Sequence, residues 1–258
     1  MFYDRRKILL IRDFWFVHDR EKENEKGVDY VQYHDVLSVI LDKKGIVKET
    51  IGKTIVNDIS GDLNEILKLF KKNTRYEIRR AEKDGCSAQL FWSDQLRANT
   101  ALLEEFDREH KKMFQKKGHD YKSELPNMMG ALKRNMLALS VVYLPDGNPC
   151  AYHVYIVGNK VARLLHSVSV FREMKTSAER ASIGRANRYL HFMDIKALKE
   201  KGYATYDWGG YSESEDQISI TEFKESFGGE IRDVYRYIFA VSLIARLATG
   251  FIRRRIKR

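Results

Sequence analysis

Tyr206-Asp207-Trp208-Gly209-Gly210, followed a dozen residues later by Glu222-Phe223-Lys224-Glu225-Ser226-Phe227-Gly228-Gly229-Glu230, decides how this chain is read. The pattern is a strand ending in a glycine pair, a short loop, and an amphipathic helix stopped by a second glycine pair. Paired glycines mark backbone that turns sharply or lets another group approach closely. Ile220, Phe223 and Phe227 recur at i, i+3 and i+7, which predicts one shared buried face. Lys224 lies about 100° around the helix from Phe223, at the edge of that stripe. A lysine on a core boundary between two glycine turns is a candidate for electrostatic work on a substrate.

Upstream, residues 137–144 read as a strand, Pro145-Asp146-Gly147-Asn148-Pro149 as a turn, and residues 150–157 as the return strand. Gly158-Asn159 signals a second tight turn into a third strand over 160–168. A helix of about twenty residues then ends at Gly202, and strands over 204–208 and 231–239 bracket the Lys224 helix. Further upstream, Ser60 or Asp62 can cap a helix with Leu63, Ile66, Leu67 and Phe70 on one face. Lys68, Lys72, Arg75, Arg79 and Lys83 lie on another, and Gly85 is the natural stop. Ser93 is placed to cap a second long helix reaching about Lys117, and a further helical piece is expected over 123–135. Residues 1–60 look strand-rich.

With 258 residues, 43% hydrophobic and 12% aromatic, the chain can bury a sizeable core. Its three prolines and the absence of a Ser/Pro-rich stretch argue against a long disordered linker. Cys86 and Cys150 form no C-x-x-C pair, so neither a disulfide framework nor a zinc site is expected. Arg12 and Asp13 interrupt the first apolar run, and no segment reaches the roughly 18 apolar residues of a spanning helix. The expectation is a cytoplasmic protein. A net charge of +10 points to anionic partners: a phosphorylated cofactor, a phosphorylated precursor, tRNA or a membrane surface.

The D-x-G-G segment and the F-K-x-x-F-G-G-E segment together resemble the C-terminal signature of the Fem-type peptidoglycan-bridge aminoacyltransferases. They resemble equally the related GNAT-like acyltransferases of bacterial envelope-polysaccharide clusters. Asn73-Thr74-Arg75-Tyr76-Glu77-Ile78-Arg79-Arg80-Ala81-Glu82-Lys83-Asp84-Gly85 is similar to an N-x-R-x-x-I-R-[KR]-A-E-[KR]-x-G pattern of the same group. The resemblance spans roughly residues 54–239. It implies an α/β (α+β) fold: a GNAT-like core with a central mixed sheet flanked by helices, a reduced N-terminal β-rich half, and a helical insertion. The expected division is a β-rich segment over 1–60, the acyltransferase domain over 61–240, and a basic amphipathic helix over 241–258.

The resemblance places Lys224 at the acceptor end of the active site, where a cation stabilises the tetrahedral oxyanion of acyl transfer. The competing reading is a solvated helix lysine. Asp207 can accept the proton of an attacking ammonium or bond the amides of the Gly-Gly turn. Glu222 is the second candidate base, although it and Glu225 fit a solvated helix face. Tyr206, Gly209, Gly210 and Phe223 are candidate substrate contacts. Arg75 and Arg79 share a helix face and suit bidentate phosphate binding, or simply form an exposed basic surface. In GNAT enzymes the acyl carbonyl lies against the third core strand, which makes His166 a candidate contact. A strand histidine such as His166 or His153 is otherwise a hydrogen-bonded core residue. No histidine pairs with a carboxylate or cysteine at metal-ligand spacing, so no metal is expected.

Arg180-Ala181-Ser182-Ile183-Gly184-Arg185-Ala186 resembles, with one extra residue, the R-x-x-G-x-A pyrophosphate cradle of CoA-dependent GNAT enzymes. Gly184 and Arg185 are therefore candidate cofactor contacts through helix N-terminal amides. The donor is acyl-CoA or aminoacyl-tRNA, and the acceptor an amine of a phosphorylated or lipid-linked envelope precursor. Leu243, Ile244, Leu247, Phe251 and Ile252 form an apolar stripe beside Arg246, Arg253, Arg254, Arg255, Lys257 and Arg258. That tail suits either an anionic membrane surface or docking on its own domain. The alternative function is an inactive GNAT-like module that binds RNA or membrane. No helix-turn-helix, finger or basic-zipper pattern points to DNA.

Overall fold

The structure, a computed structural model, describes residues 2–6, 9–17, 20–214 and 217–256, with side chains described between residues 10 and 249 of those ranges. In chain order, the first strands are β1 (Phe2–Arg6), β2 (Leu9–Trp15), β3 (Tyr30–Val36) and β4 (Ile46–Asp58). Next come α1 (Leu63–Leu69), α2 (Lys72–Lys83), β5 (Ser87–Trp92), α3 (Ser93–Ala98), α4 (Ala101–Lys116) and α5 (Leu125–Lys133). Then follow β6 (Leu137–Tyr143), β7 (Pro149–Gly158), β8 (Val161–Ser169), α6 (Ser177–Glu200) and β9 (Thr205–Gly210). The last elements are α7 (Ile218–Glu225), β10 (Glu230–Ala240) and α8 (Leu243–Ile256). Two compact units result, residues 55–230 and residues 1–54 with 231–258.

In the larger unit the strands run in the order β4-β9-β8-β7-β6-β5. β5 to β8 form an antiparallel meander, and β8 pairs with β9 in parallel. A parallel neighbour needs a crossover, and α6 supplies it. β6 is buried at every position but its last, as expected of a strand covered on both faces. Ala138, Val142, Ala151, Tyr155, Tyr206 and Trp208 pack with α1, α2 and α6 through Ile66, Ile78, Ala81, Ile183, Ala186 and Leu190. Helices α3, α4 and α5 pack on the opposite face and bury Leu96, Leu103, Phe106, Met128 and Leu132. This is the mixed sheet between helical layers that the sequence predicts. Cys86 and Cys150 are both buried free thiols.

Two predicted helices are broken. The helix expected from Asp62 to Gly85 is α1 and α2, with Phe70 and Lys71 extended between them. Asp62 does cap α1, accepting from the Asn64 amide at 2.8 Å. The break turns Phe70 into the core against Phe227, at 5.1 Å between rings, and lets the Lys71 amide donate to the Ser226 carbonyl at 2.8 Å. Tertiary partners thus outweigh continued helix propensity. Ser93 does not cap its helix: its hydroxyl donates to the Leu137 carbonyl at 2.7 Å and accepts from the Leu137 amide at 3.0 Å. The Trp92 amide is bonded instead by the Gln95 side chain, and the helix stops at Ala98 before α4 begins.

In the smaller unit the strand order is β1-β2-β3-β10-β4. β2 and β3 are parallel, while β10 runs antiparallel to β3. Phe14, Val31, Tyr33, Val36, Ile40, Tyr237 and Phe239 form its core. Arg20 and Glu25 form a buried pair at 2.6 Å, and the Arg20 guanidinium lies 4.1 Å from the Phe239 ring centroid. The Ser242 hydroxyl donates to Asp29 at 2.6 Å and accepts from the Ala245 amide at 3.1 Å, fixing the start of α8. The compact units therefore divide at 54/55 and 230/231 rather than at 60/61 and 240/241. The reason is pairing of β10 with β3, a long-range contact that no local sequence signal announces.

Candidate active site

The pairing of β8 with β9 spans three residues and stops at Arg163↔Asp207, while β8 itself continues to Ser169. The two strands part just where the first glycine pair sits. Gly209 has φ +68°, and a Cβ there would lie 2.8 Å from the Leu164 carbonyl oxygen. Only glycine allows that approach without strain. One residue further along β8, the register against β7 shifts between Leu164↔Tyr155 and His166↔Val154, so Leu165 is a bulge. The bulge sends His166 to the face opposite Leu164. Beyond the last β8–β9 pair, β8 is left bonded to β7 alone among the pairings described.

Lys224 reaches this opening from α7. Its ammonium donates to the carbonyls of Gly209 at 3.1 Å and Gly210 at 2.6 Å. Two of its three N–H groups are thereby used, and the third has no acceptor among the described residues. Burial lowers its pKa to about 8, with Arg163 adding to the effect and Asp207 opposing it. At neutral pH the group is still largely an ammonium. Asp207 is 2% exposed, and its carboxylate accepts from Arg163 at 2.7 Å and from the Gly209 amide at 2.8 Å. The arrangement is a fixed cation on a glycine turn, beside a buried ion pair that holds the turn.

Behind β9 lies a buried chain of polar groups. His153 Nδ1 is 2.7 Å from Asp194, and Asp194 accepts from the Tyr155 hydroxyl at 2.6 Å. The Tyr155 and Tyr206 hydroxyls are 2.8 Å apart, and Tyr206 is 2.8 Å from His191 Nδ1. Burial drives the His191 pKa well below its ordinary value and the Tyr155 and Tyr206 pKa values well above theirs. His191, Tyr155 and Tyr206 are therefore neutral hydrogen-bonding groups near pH 7. His153, His191 and Asp194 bring potential metal-donor atoms within 4.8 Å of one another. Those donors are engaged: His153 with Asp194 and with Asn187 at 3.0 Å, His191 with Tyr206. The trio reads as a satisfied network.

On the α4 side of the sheet, the His166 ring centroid lies 4.9 Å from that of His110. His166 Nε2 is 3.8 Å from Glu124. Burial lowers the pKa of His166, against the pull of Glu124, and pushes that of His110 down to about 4. A half-buried, neutral imidazole thus follows the Leu165 bulge, with its ring beside His110 and Phe106. It is chemically able to accept a proton there.

Residues 68–225, more than half of the chain, match the model of the acetyltransferase (GNAT) domain. The chain belongs to the GNAT acetyltransferase family. Its fold is shared by FemX, with a TM-score of 0.62 and 13% identity over 88% of this chain and 77% of FemX. It is shared too by the C-terminal domain of a putative lysylphosphatidylglycerol synthetase from Agrobacterium fabrum. There the TM-score is 0.57, with 16% identity over 96% of this chain and 82% of that one. L-PGS from Bacillus licheniformis gives 0.53 and 13% over 99% and 85%. No curated protein matches the chain in sequence.

In this GNAT domain the residues singled out by sequence are distributed unevenly. Lys224, Gly209, Gly210 and Asp207 come together, with His166 on the adjoining strand. Tyr206 is fully buried and its hydroxyl is bonded inside the core, so it faces away from the opening. Phe223 packs on His191 and Phe227 and lies under the Arg188 guanidinium at 4.8 Å. Ile220, expected to be buried with it, is 51% exposed, because Phe227 reaches the core from beyond the end of α7. Glu222 is exposed.

Arg75 does not share an anion site with Arg79. Its guanidinium donates to the Lys68 and Phe70 carbonyls and closes the end of α1, while Arg79 is exposed. Gly184 and Arg185 lie inside α6, whose N-terminus is at Thr176. Their amides belong to the helix body, and Arg188 donates to the Gly184 carbonyl at 3.2 Å. At the true N-terminus the Glu179 carboxylate accepts from the Thr176 amide at 2.8 Å, occupying the place an anion would take. The extra residue in the R-x-x-G-x-A match accompanies this displacement.

Sequence reasoning passed over Arg163, Asp194, His191 and Asn57. Arg163 was detectable as a charge inside an apolar strand. His191 and Asp194 were detectable as an i, i+3 polar pair on a helix face that is otherwise apolar.

Proposed function

We propose that the chain transfers an aminoacyl or acyl group to an amine of a bacterial cell-envelope precursor by direct attack on the activated carbonyl. The donor carbonyl lies against the unpaired edge of β8, and the acceptor amine approaches from the Gly209-Gly210 side. His166, neutral and half-buried, takes the proton as the C–N bond forms. The remaining N–H of Lys224 holds the tetrahedral oxyanion, a charge absent from the flat ester or thioester. The oxyanion then collapses, the bond to the carrier oxygen or sulfur breaks, and the proton held by His166 passes to that leaving atom, restoring the neutral imidazole. Asp207 acts as a positioning residue, holding Arg163 and the Gly209 amide so that the turn presents its carbonyls to Lys224. The observation that carries this reading is Lys224 itself, fixed on two backbone carbonyls at the mouth of the β8–β9 gap.

Aminoacyl-tRNA is the proposed donor. The Glu179 carboxylate at the start of α6 takes the Lys175 and Thr176 amides and sets a negative charge where the pyrophosphate of CoA would bind, which disfavours that donor. Lys68, Lys72, Arg79 and Lys83 on α1 and α2 are exposed cations suited to a polyphosphate strand. The fold likeness to FemX and to lysylphosphatidylglycerol synthetases supports an envelope acceptor, peptidoglycan-precursor or lipid-linked. Such an acceptor places the enzyme at the inner face of a membrane.

Transfer of radiolabelled amino acid from a charged tRNA pool to a synthetic stem peptide and to lipid-linked precursors tests the reading, with acetyl-CoA thiol release in parallel. Amino-acid transfer lost in Lys224→Met supports it. Thiol release in its place would overturn the donor assignment. Salt-dependent RNA binding with no transfer from either donor would favour a non-catalytic module.

A further inference from the structure

We propose that the smaller unit docks on an anionic lipid bilayer through α8 and the basic cavity beside it, a surface that extends the membrane-side reading given above. Leu243, Ile244 and Leu247 are 72%, 69% and 59% exposed. Their outward direction is fixed by contacts on the other side of the helix. Ala245 is fully buried, its carbonyl accepts from the Tyr30 hydroxyl at 3.3 Å, and Tyr30 and Thr249 hydroxyls lie 3.2 Å apart. The Ser242–Asp29 bond pins the first turn. Rotating the helix to hide the leucines would break all of these.

Beside the first turns of α8 lies a cavity of about 230 Å³ lined by Arg20, Lys22, Lys26, Lys44 and Arg246, with Glu25 as the one carboxylate among its lining residues. Arg20 is neutralised by Glu25 and Lys22 is paired with Asp42, so the excess positive charge sits on Lys26, Lys44 and Arg246. The side chains of Phe251, Ile252, Arg253, Arg254 and Arg255, which the sequence assigns to the same amphipathic tail, lie outside the described region, as do residues Lys257 and Arg258 altogether. An exposed apolar stripe next to a cationic hollow matches the two layers of an anionic leaflet. The leucines enter the acyl boundary, and the hollow receives a headgroup phosphate. RNA would satisfy the cations and leave the stripe in water, which is why the bilayer is the favoured occupant.

Full-length protein is sedimented with vesicles of phosphatidylcholine alone or mixed with phosphatidylglycerol, beside the variants Leu243→Ser/Ile244→Ser/Leu247→Ser and Lys26→Glu/Lys44→Glu. The wild type is expected to partition onto the mixed vesicles, and each variant to bind on the order of tenfold more weakly or worse. Circular dichroism should be unchanged, because the substituted side chains are exposed or line the cavity rim. Wild-type-like partitioning of the serine variant would overturn the proposal. So would binding of poly-uridine by the wild type without binding of vesicles. Transfer to a water-soluble acceptor should survive in the serine variant; if the wild type binds vesicles but transfers nothing, the catalytic reading fails and this one stands.

Discussion

The two glycine pairs look alike in sequence and do different work. At Gly228-Gly229 the backbone is wedged between other backbone segments. A Cβ on Gly228 would lie 2.9 Å from the Leu69 carbonyl oxygen, and one on Gly229 2.8 Å from the Val56 carbonyl oxygen and from Asn57. Asn57 in turn donates to the Phe227 carbonyl at 3.1 Å and accepts from the Trp208 indole at 2.6 Å. That turn locks Phe227 against Trp208 and Phe70. At Gly209-Gly210 only the first glycine is tightly confined, and a Cβ on Gly210 would meet nothing within 4 Å. Its carbonyls point to Lys224. Glycine is needed for packing in one place and for presenting carbonyls in the other.

The largest expected effect separates the two directly. Gly229→Ala combines a left-handed backbone at φ +102° with contact against two oxygens. Strain and overpacking together should destabilise the fold by about 4 kcal/mol. Urea denaturation should show the lowered midpoint, while the folded fraction at low temperature keeps wild-type turnover. A Gly229→Ala protein with normal stability and lost activity would assign the second pair to the substrate and dissolve the contrast.

Next in size, Lys224→Met should lower turnover a hundredfold or more, about 3 kcal/mol in the barrier, with the fold intact. Turnover of the wild type should fall as pH rises through about 8, where Lys224 loses its proton. It should also fall on the acid side, below the ordinary histidine range, as His166 gains one. Replacing Lys224 by Met removes the alkaline limb; His166→Gln removes the acid limb.

Stability moves the opposite way, and the sign follows from the depressed pKa. Between pH 8 and the unfolded lysine value the unfolded chain binds more protons, so wild-type stability rises with pH across that window. Below it, the folded state carries the desolvation cost of the ammonium in full. Lys224→Met should therefore be more stable than wild type at pH 7 by about 1 kcal/mol, discounted for partial solvent screening. The gain should vanish above roughly pH 10.5. An equal midpoint for both proteins at pH 7 would mean that the ammonium is effectively solvated, and the role given to it would fall.

The strands and helices from 137 onwards were legible because their periodicity is local: the two turns and α6 lie where the pattern puts them, and a helix carries Lys224, although it ends before Phe227 and leaves Ile220 exposed. The broken helices were not, since the break at Phe70 depends on Phe227 and Ser226, far along the chain. Lys224 stands out in the sequence because glycine pairs bracket it and an apolar stripe lies beside it. Arg75 was misread because a guanidinium that closes a helix end and one that awaits a phosphate have the same spacing. The polar chain from His153 to His191 escaped notice because its members come from β7, α6 and β9, and only the fold brings them within hydrogen-bond distance.

The smallest effect sharpens the comparison most. Gly210 lacks the left-handed φ of Gly209, and the space beside it is open. Gly210→Ala should leave stability within about 0.5 kcal/mol of wild type. The added methyl group instead projects beside the carbonyls that hold Lys224, where the acceptor is proposed to enter. The expected result is a rise of a few-fold in KM for the acceptor with kcat nearly unchanged, because the methyl group crowds binding without touching the Lys224 bonds. Unaltered steady-state constants would show that the open side of the first glycine pair faces only water, and the acceptor would have to approach along β8 instead.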